Sequence, residues 1–233
     1  FWAVRLGFNY KTDDESSWFY KRKLKLADKL IFSKWREALG GKVRIVGCGG
    51  ASLQPRIERI FWAAGIKIIN MYGLTETSPI MTINRQEKPD LKLGTVGVLI
   101  EGVEVKIAED GEILCKGPNV MLGYYKDPEI TKAVFDNEGW FHTGDIGKWE
   151  DDRFLKVTDR KKEIFKLSNG KFIAPQVIEN IFKESVLIDQ IMVAGEHEKF
   201  ASALISPNFT NLQQWCEKEN ISCNNKDEMI RLP

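Results

Sequence analysis

The sequence predicts an α/β protein in which a parallel βαβ sheet joins a small antiparallel β-barrel, followed by an incomplete α+β domain. Three observations predict this. An apolar strand, a helix and a second apolar strand follow one another within about 30 residues, which is the βαβ unit of a parallel sheet covered by helices. After Gly94 the apolar residues alternate with polar ones, and after Arg160 short strands alternate with helices.

The first predicted element is a helix from Leu24 to Leu39, which Gly40 and Gly41 end. Its apolar residues recur at helical spacing. They are Leu24, Leu26, Ala27, Leu30, Ile31, Trp35 and Leu39.

The βαβ unit follows this helix. Residues 43–46 form a short apolar strand that leads into a glycine-rich turn at residues 47–51. A helix begins at Pro55 and ends at Ala64, because proline suits the first turn and glycine at position 65 suits the end. Residues 66–71 form the second strand.

Alternating residues and a turn at Asp110-Gly111 predict antiparallel strands between Gly94 and Gly117. Beyond Arg160 we expect strands at 163–167, 190–194 and 201–206 and helices at 175–184 and 208–219. These patterns place the larger domain at residues 1–160, with its βαβ sheet in 1–93 and its barrel-like part in 94–160. Residues 161–233 then form a partial C-terminal α+β domain.

Composition excludes several classes of function. The 233 residues are 43% hydrophobic and carry a net charge of +1, so no global field favours nucleic acid. The four cysteines, among them Cys223, lack metal-ligand spacing, and this favours a reducing, cytoplasmic compartment. Two histidines, His142 and His197, give little material for a histidine triad or metal site. No apolar run is long enough to cross a bilayer.

The two ends of the chain, at Phe1 and Pro233, interrupt sequence patterns. We therefore expect the chain to be an excerpt of a longer polypeptide.

Two polar, glycine-bearing loops follow the two parallel strands, at the sheet edge where α/β proteins bind ligands. The first, at residues 47–51, is equally well explained as a tight turn. In the second, Tyr72 offers a stacking face, Thr75 a hydroxyl for a phosphate oxygen and Glu76 a hard oxygen ligand for Mg²⁺. Spacing alone leaves an ordinary loop about equally probable.

Four ordered segments carry recognisable motifs and span roughly residues 47 to 180. The segment at residues 72–79 reads YGLTETSP and resembles the YGxTE signature of the adenylate-forming (AMP-binding) superfamily. Residues 111–131 resemble its GE(I/L)…G…VMxGYY…PExT stretch, and residues 139–147, GWFHTGDIG, its GWFxTGD motif. Residues 158–179 resemble its hinge motif DRxKxxxK…P…(I/V)E. The DRKKE form, together with LADKLIFSK…ALGG, looks most like long-chain fatty-acid–CoA ligases.

The resemblance implies a reaction in two steps. A fatty-acid carboxylate and ATP form acyl-adenylate and pyrophosphate, with Mg²⁺ present, and coenzyme A then displaces AMP to give acyl-CoA. Two alternatives stay open: another carboxylate-activating enzyme, for an aryl, short-chain or amino acid, and a non-catalytic nucleotide-binding relative. The expected partners are fatty acid, ATP and CoA.

The resemblance also assigns roles to residues. Around the nucleotide it places Gly49, Gly50, Ala51, Asn70, Met71, Tyr72, Gly73 and Leu74, with Tyr72 stacked on adenine. Thr75 is implied to bind the α-phosphate, Glu76 the Mg²⁺, and Asp145 and Arg160 the ribose. Lys162 matches the hinge position, Lys166 a lysine brought to the active site by hinge rotation, and Ser168 and Gly170 the CoA-side loop.

Two parts of the superfamily pattern are missing from this chain, namely the upstream loop ending in PKG and a lysine near the C-terminus. We therefore expect the 233-residue chain alone to be inactive. Aromatic residues beside a basic run also suggest peripheral contact with a membrane, although packing of these aromatics within the domain is the favoured interpretation. They are Trp2, Phe8, Trp18, Phe19 and Tyr20, beside residues 21–23.

Overall fold

The computed structural model describes residues 2–12, 17–222 and 225–231, so Phe1, Cys223 and Pro233 lie outside the described residues. The chain divides into two compact units, Phe1–Val157 and Thr158–Pro233. Each is described by itself.

Helices open the first unit. They are α1 (Trp2–Phe8), α2 (Trp18–Ala27), a wider π-helical turn (Asp28–Phe32) and α3 (Ser33–Ala38). The predicted helix is present, but it begins earlier and the π-helical turn divides it, which helical spacing of apolar residues does not reveal. The turn carries Phe32, which is fully buried in one core cluster with Ala3, Ala27, Ala63, Ala64 and Ile66.

The predicted βαβ unit is confirmed. Strand β1 (Ile45–Cys48) pairs in parallel with β2 (Lys67–Tyr72), and α4 (Pro55–Ala63) connects them. Helix α4 buries Ile60, Trp62 and Ala63, and the indole of Trp62 donates a 2.8 Å hydrogen bond to the carbonyl of Ile68. Two short antiparallel strands, β3 (Thr82–Ile83) and β4 (Val98–Leu99), extend the sheet in the order β1-β2-β3-β4.

The second sheet of this unit contains the predicted antiparallel strands. Its order is β5 (Glu104–Ile107), β6 (Glu112–Lys116), β7 (Phe141–Glu150) and β8 (Phe154–Arg160). Helix α5 (Pro128–Ala133) lies between β6 and β7, and Asp127 caps its N-terminus by accepting from the amide of Ile130. A second core cluster beneath this region contains Met81, Val103, Cys115 and Phe141.

The second unit is an α+β arrangement with two antiparallel hairpins. Strands β9 (Phe165–Lys166) and β10 (Phe172–Ile173) form the first hairpin, and β11 (Ile188–Ala194) and β12 (Ser202–Pro207) the second. Its helices are α6 (Pro175–Phe182), α7 (Phe209–Lys218) and α8 (Lys226–Ile230). Leu167, Ile173 and Val193 form its core cluster.

The structure moves one or both ends of all five predicted strands named by residue number by one or two residues, and two of these changes have a visible cause. Strand β1 begins at Ile45 rather than at residue 43, because its pairing with β2 starts where Ile45 lies opposite Lys67. Strand β9 is shorter than predicted, since the amide of Glu163 donates to the carbonyl of Arg160 and closes a turn there. Among the residues described, every helix is too short or too polar to cross a membrane.

Candidate functional site

The parallel pairing brings the two glycine-bearing loops together. Cys48 lies opposite Asn70, so the glycine turn after β1 and the loop after β2 leave the sheet at the same edge. A Cβ at Gly49 would lie 3.0 Å from Cγ of Met71, and one at Gly47 would lie 3.0 Å from its Cε. Glycine therefore lets the Met71 side chain lie over the turn. The exposed Gly50 and Ala51 continue this turn.

Tyr72 joins this edge to the second sheet. Its hydroxyl donates a 2.7 Å hydrogen bond to Oδ2 of Asp145 on β7. Burial of the phenol, followed by the nearby Asp145 carboxylate, raises the pKa of Tyr72 well above its usual value near 10. Because each carboxylate oxygen has two lone pairs, Asp145 can hold this hydroxyl and still accept hydrogen bonds from a ligand.

The loop from Gly73 to Thr77 is tightly held. A Cβ at Gly73 would overlap the carbonyl oxygen of Pro79, so only glycine fits there. The buried hydroxyl of Thr77 accepts from the amide of Leu74 at 2.9 Å and donates to its carbonyl at 3.0 Å. Asn119 donates to the carbonyl of Thr77 at 3.0 Å. The turn Thr75–Thr77 thereby presents Thr75 to solvent.

A tyrosine orients the carboxylate of Glu76. The hydroxyl of Tyr124 donates to Oε1 of Glu76 at 2.8 Å, and burial together with this bond raises the pKa of Tyr124. The described residues contain no group of three or more acidic, histidine or cysteine side chains that could hold a metal ion. Mg²⁺ is commonly bound by one or two protein carboxylates together with substrate phosphates, and Glu76 fits a site of this kind.

Asn70 points away from the loops. Its amide donates a 2.8 Å hydrogen bond to Glu58, and the other oxygen of Glu58 accepts from the amide of Gly94 at 2.6 Å. Glu58 is fully buried, and burial raises its pKa from near 4.5 to about 7. The side chain of Asn70 thus ties β2 to α4, and contact of this residue with a nucleotide remains a prediction.

The remaining predicted site residues lie in the second unit. Arg160, the last residue of β8, and Lys162, in the turn that follows, are both exposed. Lys166 lies on the β9–β10 hairpin, where its Nζ is 5.4 Å from the ring centroid of the exposed Phe172. The loop of this hairpin carries Ser168, whose amide donates to the carbonyl of Glu198, and Gly170, whose positive φ of 88° suits glycine.

Sequence reasoning did not assign roles to Tyr124, Asn119 or Thr77. Each lies in a segment that resembles a superfamily motif, which is the only signal the sequence offers for them. Their contacts with Glu76 and with the loop carbonyls appear only in three dimensions.

The sequence favours packing of the N-terminal aromatic residues within the domain, and the structure shows such packing for only some of them. Tyr20 donates to the carbonyl of Leu6 at 3.0 Å, and the guanidinium of Arg56 lies over the ring of Phe8. Trp18 and Phe19 are instead 60% and 71% exposed.

Comparison with known proteins identifies related sequences. The family described as AMP-binding enzyme matches residues 11–125. The chain is 39% identical over 193 residues to long-chain-fatty-acid–CoA ligase FadD15 of Mycobacterium bovis, covering 83% of this chain and 32% of the relative. It is also 39% identical to human long-chain-fatty-acid–CoA ligase 1, covering 89% of this chain and 33% of the relative. The chain thus spans about a third of the length of these curated relatives.

Solved structures of similar fold agree with these matches. O-succinylbenzoate coenzyme A synthetase from Bacillus subtilis, in complex with ATP and magnesium ion, superposes with a TM-score of 0.62 at 26% identity. That match covers 79% of this chain and 43% of the solved one. The adenylation domain of a carboxylate reductase from Mycobacterium chelonae gives a TM-score of 0.66 at 26% identity, covering 94% of this chain and 34% of the other.

Proposed function

This chain belongs to the AMP-binding enzyme family, and we propose that it supplies the nucleotide site and hinge of an ATP-dependent long-chain fatty-acid–CoA ligase. In the proposed reaction, a fatty-acid carboxylate attacks the α-phosphorus of ATP and releases pyrophosphate. The thiolate of CoA then attacks the acyl carbon and releases AMP. The observation that carries the proposal is the hydrogen bond from Tyr72, at the end of β2, to Asp145 of the second sheet, directly before the loop that carries Thr75 and Glu76.

The first unit offers a group for each part of ATP. The ring of Tyr72 stacks on adenine, and the carboxylate of Asp145 accepts from the ribose hydroxyls. The glycine turn and Met71 border the pocket. The close approach of Gly73 to the carbonyl of Pro79 keeps the loop backbone from projecting into the space for the nucleotide. Because the hydroxyl of Tyr72 already bonds to Asp145, the two recognition groups are fixed relative to each other before ATP binds.

Phosphate contacts come from the next turn. The exposed hydroxyl of Thr75 donates to the α-phosphate, and Glu76, oriented by Tyr124, faces the metal. Mg²⁺, when bound, neutralises the charge that develops on the phosphates. The carboxylate of the fatty acid needs no base, since its pKa lies far below neutral pH.

The second unit carries the proposed hinge and the groups for thioester formation. We place the pivot at Lys162 and the domain boundary at Arg160, the residue proposed to contact the ribose. Hinge rotation brings Lys166 to the active site. The loop with Ser168 and Gly170 lies on the CoA side. Their support is the match to the hinge motif and their position on an exposed turn and hairpin.

The identity of the acid rests on the relatives. Those that are 39% identical bear the name long-chain-fatty-acid–CoA ligase, whereas the solved synthetase for O-succinylbenzoate is 26% identical. This difference favours a long acyl chain over an aromatic acid.

The test is pyrophosphate release by the whole polypeptide that carries these residues, with ATP, Mg²⁺, CoA and saturated acids of increasing length. We expect the rate to climb with chain length and to collapse in Glu76→Ala, while the exposed-site control Glu101→Ala keeps it. Release that is driven only by short, aromatic or amino acids would contradict the long-chain assignment. Turnover by the 233-residue chain alone would overturn the prediction that it is inactive.

We also propose a cytoplasmic enzyme in peripheral contact with anionic lipid, made through the start of α2. Trp18 and Phe19 are exposed there, and the guanidinium of Arg22 lies 4.8 Å from the Trp18 ring centroid. Exposed Lys21 and Lys23 add positive charge, so the patch combines apolar area with attraction to anionic headgroups.

Co-sedimentation with vesicles tests this contact. We expect binding to vesicles that contain phosphatidylserine, and loss of binding in the double variant Trp18→Ser/Phe19→Ser. The control Tyr125→Ser, which alters another exposed aromatic residue, should bind normally. Equal binding by both variants would contradict a role for this patch.

A further inference from the structure

Strand β7 carries a bulge at residues 143–145, which includes Asp145. Glu112 of β6 lies opposite Ile146 of β7, yet Leu114, two residues on, lies opposite His142, four residues back. The extra residues on β7 therefore leave the regular ladder. Gly144, within the bulge, has a positive φ of 74°. Bulges of this kind re-aim side chains beside active sites.

One buried carboxylate bridges this bulge. Oε1 of Glu112 accepts a 3.0 Å hydrogen bond from the amide of Gly144, and Oε2 lies 2.9 Å from Nδ1 of His142. With Glu112 ionised, its carboxylate can only accept, so Nδ1 of His142 would be the donor in this contact. Glu112 is 3% exposed, and its two oxygens contact β7 at His142 and at Gly144, on either side of Thr143.

Thr143 completes the support from within the bulge. Its hydroxyl donates to the carbonyl of Ile113 at 2.7 Å and accepts from the amide of Asp145 at 3.1 Å. The backbone of Asp145 is thereby fixed, and its side chain reaches Tyr72 on the other sheet. A shift of one residue in the register of β7 would turn Asp145 to the opposite face.

We propose that Glu112 is a positioning residue for nucleotide recognition, because its carboxylate fixes the bulge from which Asp145 meets the ribose. The inference rests on the proposed function, since it deepens the role of Asp145 at the same site. Glu112 acts through Asp145 and not on the nucleotide. Loss of the Glu112 carboxylate should therefore weaken recognition of the ribose more than binding of the rest of ATP.

The experiment compares ATP with 2′-deoxy-ATP in fatty-acid-dependent pyrophosphate release by the whole polypeptide. The ratio of the two kcat/KM values measures recognition of the 2′-hydroxyl, and a general loss of folded protein lowers both values equally. Wild type should prefer ATP, and Asp145→Ala should lose that preference. We expect Glu112→Ala to reduce the preference roughly tenfold, the size typical of one hydrogen bond to a charged group.

Further variants separate positioning from folding. Glu112→Asp keeps the charge but is too short to bridge the bulge, so it should also lose preference for ATP. This variant provides the test if Glu112→Ala does not fold. Glu112→Gln keeps an oxygen for the amide of Gly144, and its amide nitrogen can donate to Nδ1 of the other neutral tautomer of His142, so this variant should retain most of the preference. Glu109→Ala, an exposed acid in the same hairpin, is the matched control. In the Asp145→Ala background, Glu112→Ala should change the ratio no further.

The outcomes are distinct. Preference for ATP that stays at the wild-type value in folded Glu112→Ala or Glu112→Asp overturns the positioning role and leaves the proposed function intact. A wild-type protein that uses ATP and 2′-deoxy-ATP equally overturns the ribose contact of Asp145 and this inference with it. An absence of acid-dependent release in wild type overturns the proposed function itself.

Discussion

Substitution of the buried Glu58 by glutamine should make the protein progressively more stable relative to wild type as the pH rises. Glu58 is fully buried between α4 and β2, and its carboxylate accepts hydrogen bonds from Asn70 and Gly94. These bonds do not offset the loss of hydration, and burial raises the pKa to about 7 from near 4.5. The folded protein therefore favours the protonated, uncharged side chain.

The sign and size follow from this shift. A carboxyl group whose pKa is raised on folding contributes stability below its unfolded pKa, and this contribution is lost as the pH rises through the folded pKa. A shift from near 4.5 to about 7 corresponds to about 3 kcal/mol, lost between about pH 4.5 and about pH 8. Glutamine has nearly the same shape and carries no charge, so Glu58→Gln escapes this loss.

Urea unfolding of the 233-residue chain across this pH range provides the assay. The free energy of unfolding of Glu58→Gln minus that of wild type should rise by about 3 kcal/mol from about pH 4.5 to about pH 8.5. Subtraction removes the titration of all other groups. Glu101→Gln, at an exposed position, should show a difference that is independent of pH. A difference for Glu58→Gln that is equally flat would refute the reasoning, since the charge would then be compensated in the fold.

Three further predictions concern the loops and the thiols. Tyr124→Phe removes the donor to Glu76 and should raise the Mg²⁺ concentration for half-maximal pyrophosphate release roughly tenfold, measured by Mg²⁺ titration. An unchanged titration midpoint would contradict an orienting role for this hydroxyl. Gly73→Ala places a Cβ against the carbonyl of Pro79 and should cost about 2 kcal/mol or more in urea unfolding. Gly40→Ala, at a positive φ in open space, should cost only about 1 kcal/mol, and equal costs would argue against the close packing. Burial raises the pKa of both Cys48 and Cys115, that of Cys115 to about 11, so alkylation near pH 8 should modify the half-buried Cys48 before the buried Cys115, as followed by mass spectrometry, and labelling of Cys115 before Cys48 would contradict the structure.

Local signals made much of the fold predictable. Proline at the start of α4, glycine at its end and apolar strands on either side define the βαβ unit without reference to distant residues. The same pattern places the two loops at one sheet edge, because parallel strands end on the same side. The position of the candidate site loop at this edge was therefore predictable from sequence, although the roles proposed for its residues depended on the resemblance.

Features that depend on distant contacts could not be predicted in this way. The hydrogen bond between Tyr72 and Asp145 joins residues that are 73 positions apart, and Glu112 accepts from Gly144 of the bulge across 32 positions. The spacing of apolar residues does not indicate that the side chain of Asn70 turns inward to Glu58, or that a π-helical turn begins at Asp28. Strands of two residues, such as β3 and β4, are too short to show alternation.

The central claim, that these loops bind ATP for attack by a fatty acid, is tested most directly by ATP–pyrophosphate exchange in the whole polypeptide without CoA. Formation of the acyl-adenylate precedes the use of CoA, so a long-chain fatty acid alone should support exchange. Glu76→Ala should lower the exchange rate by about 100-fold, and Glu101→Ala should not. Exchange that is absent in wild type, or equal in wild type and Glu76→Ala, would contradict the account.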